Sequence, residues 1–269
     1  MSGTAAAGRP WKRPPLLIAD VRVRYMLYGA ILLYLVLAIS SIDVNWPRVY
    51  EGLDRGLGFV KGFLVPDFTS RAGDIRQGMI ESLTMTVTST VAGIFLSIPI
   101  GLGAARNIAP APVYMLCRSI VAVSRSLQEI IIAILLVAMF GFGPFAGFLT
   151  LSFATIGFLA KLLAEDIENV DSAQVEAIRA TGAGWWQIVN YAIQPQVIPR
   201  LVGLSIYRLD INFRESAVIG IVGAGGIGAT LNTAMDRYEY DTAGAILIMI
   251  ILIVMAAEYA SSLIRKRIQ

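Results

Sequence analysis

The chain has no histidine and a single cysteine, Cys117. Without histidine the commonest metal ligand and general base is missing. One cysteine cannot close an intrachain disulfide, and in its apolar segment Cys117 reads as a small packing residue. Charge is scarce too: Asp, Glu, Lys and Arg make up 15% of 269 residues, against roughly 25% in ordinary soluble domains. That is too little polar material to coat one or two soluble domains. The formal charge of +3 is small, and the Lys and Arg residues gather mainly near the ends, so nothing calls for nucleic acid. No G-x-x-x-x-G-K-[ST] loop occurs, so ATP chemistry of that type is not carried by this chain. What fills the sequence instead is apolar: 56% of residues, with a mean hydropathy of +0.68, above the roughly 45–50% of soluble domains.

Stretches of the roughly twenty residues needed to cross a hydrocarbon core recur six times, at 25–42, 80–105, 113–140, 145–164, 197–222 and 243–263. The fold class this predicts is an all-α polytopic membrane protein. A cleavable signal peptide is the rival for the first stretch, but its core is long and no A-x-A site follows. Residues 1–24, with Arg9, Lys12, Arg13, Arg22 and Arg24, make a basic tail, and Arg265, Lys266 and Arg267 follow the last span. By the positive-inside rule both ends are cytoplasmic, which an even span count allows. Residues 43–78 mix Arg and Lys with a nearly equal number of acids and are expected outside the cytoplasm.

The stretch VIGIVGAGGIGATL places Gly223, Gly225 and Gly228 in G-x-G-x-x-G spacing, the pattern of a dinucleotide fold. A span precedes these glycines and a lipid-length helix follows, so no βαβ unit can form around them. Their expected work is structural, letting backbones approach and the chain fold back.

Between the fourth and fifth spans lies DSAQVEAIRATGAGWWQIVNYAIQPQVIP, Asp171 to Pro199. Asp171 with Gln174 has the spacing of a capping-box variant and Gly182 that of a helix stop. A second short helix is expected from Trp185 to Ile193, closed by Pro195. Glu176 and Ala177, Gly182 six residues after the Glu, and Pro195 thirteen beyond the Gly resemble the EAA loop of ABC importer permeases. Ile178, Ala192 and Gln194 depart from the usual residues of that pattern. The strings YRLDINFRESAVIGIVGAGGIG and GPFAGFLTLSFATIGFLAKLLAEDIENVD, with Pro66 to Phe68, resemble the permease subunit of phosphonate-type ABC importers, from about Arg22 onward. Gln128 stands where that family usually has Pro, which should remove a kink from the third span, and Ala154 where His is common.

The resemblance implies a permease domain over 25–269 and a cytoplasmic coupling loop over 165–196 that docks on the ATPase through Glu176, Ala177, Gly182 and Pro195. It also implies no catalytic role and no cofactor in this chain, ATP being held by two partner ATPase subunits. The remaining partners are a second copy of the chain, an extracytoplasmic binding protein and membrane lipid. The solute class would be phosphonate, phosphite or phosphate.

The fifth span carries Arg208, Asp210, Arg214 and Glu215. A charge at a helix centre costs at least about 2.5–3.5 kcal/mol on insertion scales, so these should face protein or water. Asp210 and Arg214 fall on one face, Arg208, Asn212 and Glu215 on the other. Two readings are open: internal pairs that lock the bundle, or a path in which Arg208 and Asn212 meet the anion. Arg208→Gln should then leave folding nearly unchanged if Glu215 has another partner. Arg125 and Glu129 have the spacing of a structural ion pair, and Lys161 and Glu165 that of an interfacial one. A stand-alone secondary transporter, or an ABC permease for another small solute, would share the midplane charges. An embedded enzyme would need a nucleophile or metal set that the chain lacks.

Overall fold

The computed structural model describes residues 20–42 and 45–268, so residues 1–19 of the basic tail and Asp43 lie outside the described residues. Among the described residues all regular structure is helical. The chain divides into two units, 1–57 and 58–269. The first holds α1 (Val21–Ser40), whose N-cap Asp20 accepts from Arg22 N, and most of α2 (Trp46–Phe63).

The second unit is built on α3 (Ala72–Gly103) and α6 (Pro144–Glu168), the most extensively packed pair. Small residues bring them together: a Cβ on Gly93 would stand 2.4 Å from the Thr155 methyl. Ser and Thr along this seam turn their hydroxyls back onto their own helices, as Thr90 does to Thr86 O at 2.7 Å and Thr150 to Ala146 O at 2.8 Å. Polar groups thus lie inside, while Phe95, Leu135, Met139, Leu252 and Met255 are exposed. That inversion fits a lipid surround, where backbone and hydroxyl groups must be satisfied internally. Cys117 is buried, as its setting implied.

Among the described residues four helices are long and apolar enough to span a membrane, and two bent pairs bring the number to six if each pair is one span. The first pair is α4 (Ala111–Ser126) and α5 (Glu129–Phe140), bent by 96°. The third span is therefore kinked, against the expectation drawn from Gln128. Leu127 and Gln128 are both extended, at ψ 134° and 143°, and the break needs no proline to hold those dihedrals.

After the short helix α7 (Ser172–Ala180) between spans, the second pair begins in α8 (Trp185–Ile188). A π-helical turn, Val189–Ile193, then runs into α9 (Gln194–Ile219). Pro195 does not close a helix; it sits in the first turn of α9, where its missing N–H costs nothing. After α9 a second π turn, Gly220–Ala224, leads to α10 (Gly226–Asp236), with the pair bent by 57°. Gly223, Gly225 and Gly226 have φ of 97°, 79° and 72°, the left-handed values that make this corner a glycine site. A Cβ on Gly228 would stand 1.9 Å from Ala217 O, so α10 packs closely against the last turns of α9 at the corner. The final helix is α11 (Tyr240–Ile268).

Candidate functional site

Two regions carry the residues singled out in the sequence. The first is the loop between α6 and α9. Asp171 Oδ accepts from Ala173 N at 3.0 Å and caps α7. The reciprocal half of the expected capping box is made differently: the Asp171 N–H donates to Gln196 Oε1 at 2.9 Å, from the first turn of α9. The loop is thereby tied base to base. Gly182 follows the C-cap of α7 at φ 80°, and a Cβ there would touch nothing within 4 Å. Its requirement is thus one of backbone conformation alone. Glu176 and Ala177 lie on α7, which has no buried residue.

Trp185 donates Nε1–H to Ile108 O at 3.1 Å, hooking α8 to the turn between α3 and α4. That turn is itself fixed to the end of α6: Asn107 Nδ2 donates to Ile167 O at 2.8 Å, and Glu168 accepts from Arg106 N and from Arg118 at 2.8 Å each. A cavity of about 420 Å3 lies between the turn and the loop, with Asn107, Glu176, Arg179 and Trp185 among its walls. Sequence reading missed Trp185 as an anchor, because nothing local reveals a bond to a residue in another connection. Lys161 and Glu165 pair at 3.8 Å, as their spacing implied.

The second region is α9. Arg208 is 3% exposed and its Nε donates to Thr155 Oγ1 at 3.2 Å, while Nη2 meets Glu215 at 3.1 Å and Glu129 at 3.8 Å. Asn212, fully buried, donates to Thr90 Oγ1 at 2.8 Å and Thr155 Oγ1 at 2.9 Å, leaving its own Oδ1 without a partner. The Phe158 ring lies under the Arg208 guanidinium, 5.5 Å from centroid to Cζ. One face of α9 is thus a polar cluster sealed against α3 and α6.

Glu129 turns to Arg208 and not to Arg125, so the expected i,i+4 pair does not form. The reason is the break at Leu127 and Gln128, which cancels the helical register between the two. Arg125 instead lies over the Phe158 ring, its Cζ 5.9 Å from the centroid. On the opposite face Arg214 Nη2 lies 2.5 Å from Asp210 Oδ2, the expected pair, with the Asp210 side chain 8% exposed and Arg214 51%. Among the described residues no group of three or more Asp, Glu, Cys or His is placed to hold a metal.

An all-helical bundle with charge and hydroxyls inside and aliphatic side chains outside is the build of a polytopic membrane transport subunit. The chain belongs to the family of binding-protein-dependent transport system inner membrane components, which matches residues 97–269. It is 38% identical over 252 residues to the phosphate-import permease protein PhnE of Mycolicibacterium smegmatis, covering 93% of this chain and 47% of that protein. The chain thus spans about half that relative's length. To the phosphite transport system permease protein PtxC of Stutzerimonas stutzeri it is 40% identical over 202 residues, covering 75% of this chain and 73% of the relative. Among solved structures, the inward-facing MetNI methionine ABC transporter has a chain that matches with a TM-score of 0.62 at 25% identity, over 72% of this chain and 96% of that one.

Proposed function

We propose that the chain is the permease subunit of an ATP-driven importer for a small phosphorus oxyanion: phosphonate, phosphite or phosphate. The observation that carries this is the identity to relatives named for phosphate and phosphite import, at 38% and 40%. In this reading two copies of the chain form the path, and two ATPase subunits bind and hydrolyse ATP, which no residue of this chain contacts. An extracytoplasmic binding protein delivers the solute. Both termini and the loop at 165–196 face the cytoplasm, and residues 43–78 the opposite side.

The loop is the proposed ATPase contact, with Glu176 and Ala177 on its exposed helix and Gly182 setting the angle at which that helix is presented. Two copies supply two such loops, as a pair of ATPases closing around ATP on a two-fold axis requires. Of the two readings of α9 left open by the sequence, the sealed cluster of Arg208, Asn212 and Glu215 is proposed as the internal lock of the bundle, since an anion would reach that guanidinium only if Glu215 and Glu129 yielded.

Gly182→Val tests the coupling role. A β-branched residue at φ 80° is strained while no neighbour is struck, so membrane insertion should be intact and uptake abolished. Uptake at the parental rate, at equal expression, would sink the assignment. The copy number is tested by mass measurement of the purified complex, which should contain two copies of this chain.

A further inference from the structure

The charge most exposed in the middle of α9 is Arg214, whose side chain is 51% accessible, whereas Arg208 on the other face is 3% accessible. Arg214 is not at the end of the apolar stretch 197–222: eight residues, about 12 Å of helix, follow it before that end. Nor does its side chain snorkel outward along the helix, because it is held to Asp210, one turn back toward the N-terminal end of α9.

Its neighbours on the same face continue the exposure. Tyr207, Val218 and Ile221 are 40%, 46% and 46% accessible. With Ile211 between them, Tyr207, Arg214 and Val218 fall within one stripe of α9 at about 100° per residue, and Ile221 follows in the π turn. A half-exposed guanidinium at this depth is costly against hydrocarbon, so the stripe faces water or protein.

We infer that this stripe lines the water-filled solute path between two copies of the chain, and that Arg214 is the guanidinium the phosphorus oxyanion meets in transit. The inference rests on the import reading given above. The chemistry suits transit: a guanidinium presents a planar pair of donors to oxyanion oxygens, and Asp210, held to it at 2.5 Å, offsets part of its charge. Passage needs a site strong enough to admit the anion and weak enough to release it. Asp210 is the residue that weakens it, and its other oxygen, Oδ1, is buried without a hydrogen-bond partner.

The test uses the permease assembled with its ATPase and binding protein in proteoliposomes. First, Cys117→Ser gives a cysteine-free background, into which Tyr207→Cys, Val218→Cys, Ile221→Cys and, as a lipid-facing control, Met255→Cys are placed singly. A charged, water-soluble thiol reagent should modify the three stripe positions and spare the control. Stripe positions as unreactive as the control would overturn the inference, whatever the solute. Second, Asp210→Asn/Arg214→Gln removes the pair without stranding a charge. It should keep folded yield while lowering uptake of phosphate, phosphite and methylphosphonate by about ten-fold or more, the weight of a charge-assisted hydrogen bond, and Arg214→Lys should recover part of it. Parental uptake by the double variant assigns the pair to packing and overturns the role of Arg214. A parental complex that carries none of the three anions instead overturns the import reading, and with it the identity of the anion.

Discussion

Thr155 Oγ1 accepts from both Arg208 Nε at 3.2 Å and Asn212 Nδ2 at 2.9 Å, and donates its own proton to Leu151 O at 2.6 Å. One hydroxyl on α6 is therefore the junction through which two polar side chains of α9 are satisfied. Thr155→Val, nearly isosteric, strands two buried donors. At about 1–3 kcal/mol for each group left unpaired, the loss should be about 2–4 kcal/mol, with Asn212 keeping Thr90 as its second acceptor. Thr155→Ser should restore most of the thermal midpoint in detergent. A Val variant as stable as the parent would show that the junction contributes nothing.

Arg208→Gln behaves differently from the sequence-based expectation. That expectation left folding nearly unchanged on condition that Glu215 had another partner. Among the described residues Arg208 is the cation within 4.0 Å of both Glu215 and Glu129, so the substitution strands a half-buried carboxylate pair. We expect a loss of about 3–5 kcal/mol, the range for breaking a buried ion pair. Glu129→Gln, at the 3.8 Å contact, should cost less than a third of that. Paired thermal unfolding curves distinguish the two.

How much of this could be read from residues alone follows the range of the interactions. Four spans, with two bent pairs that make six if each is one span, the capped helix at Ser172–Ala180 and the left-handed Gly182 are local and periodic features, and the sequence patterns that predict them are the ones the described residues display. The opposition of the Asp210–Arg214 and Arg208–Asn212 faces follows from helical geometry in the same way. The Arg125–Glu129 pair failed because helical spacing was extended through two extended residues, Leu127 and Gln128. Thr155, Thr90 and Trp185 escaped notice because their bonds reach across 53 residues or more of chain, and no periodicity encodes such partners. The glycines of the G-x-G-x-x-G match were legible as structural, though not the close packing of α10 on α9 that they permit.

That close packing gives a sharp steric prediction. A methyl on Gly228 would meet Ala217 O at 1.9 Å and Gly220 Cα at 2.9 Å, both backbone atoms without rotamer freedom. Gly228→Ala should therefore cost at or above about 3 kcal/mol, the upper end for overpacking, and lower the yield of folded protein. Gly203→Ala, in α9 with nothing within 4 Å, serves as the matched control. It should be neutral or stabilising by about 0.5–1 kcal/mol through helix propensity. Equal yields from the two variants would mean that α10 does not pack on α9 as described.

Gln128 provides the last test, since the sequence resemblance leads one to expect proline there. The bend between α4 and α5 already has the dihedrals a proline would impose: Gln128 sits at φ −77° and ψ 143°, as the N-cap of α5. Leu127 before it is at φ −99° and ψ 134°, in the extended region that a following proline demands. The Gln128 N–H is not among the donors of this turn, whose bonds run instead from Ile131 N and Ile132 N to Gln128 O at 3.0 and 3.3 Å. Gln128→Pro thus removes no hydrogen bond of the turn and narrows the unfolded chain's freedom, so it should be neutral or stabilising by about 0.4–1 kcal/mol. Leu136→Pro, in the interior of α5, should cost about 3 kcal/mol or more by deleting a helical bond. Thermal midpoints of the two variants in one detergent decide the matter. If Gln128→Pro destabilises as Leu136→Pro does, the 96° break is not set at Leu127 and Gln128, and the third span is a continuous helix.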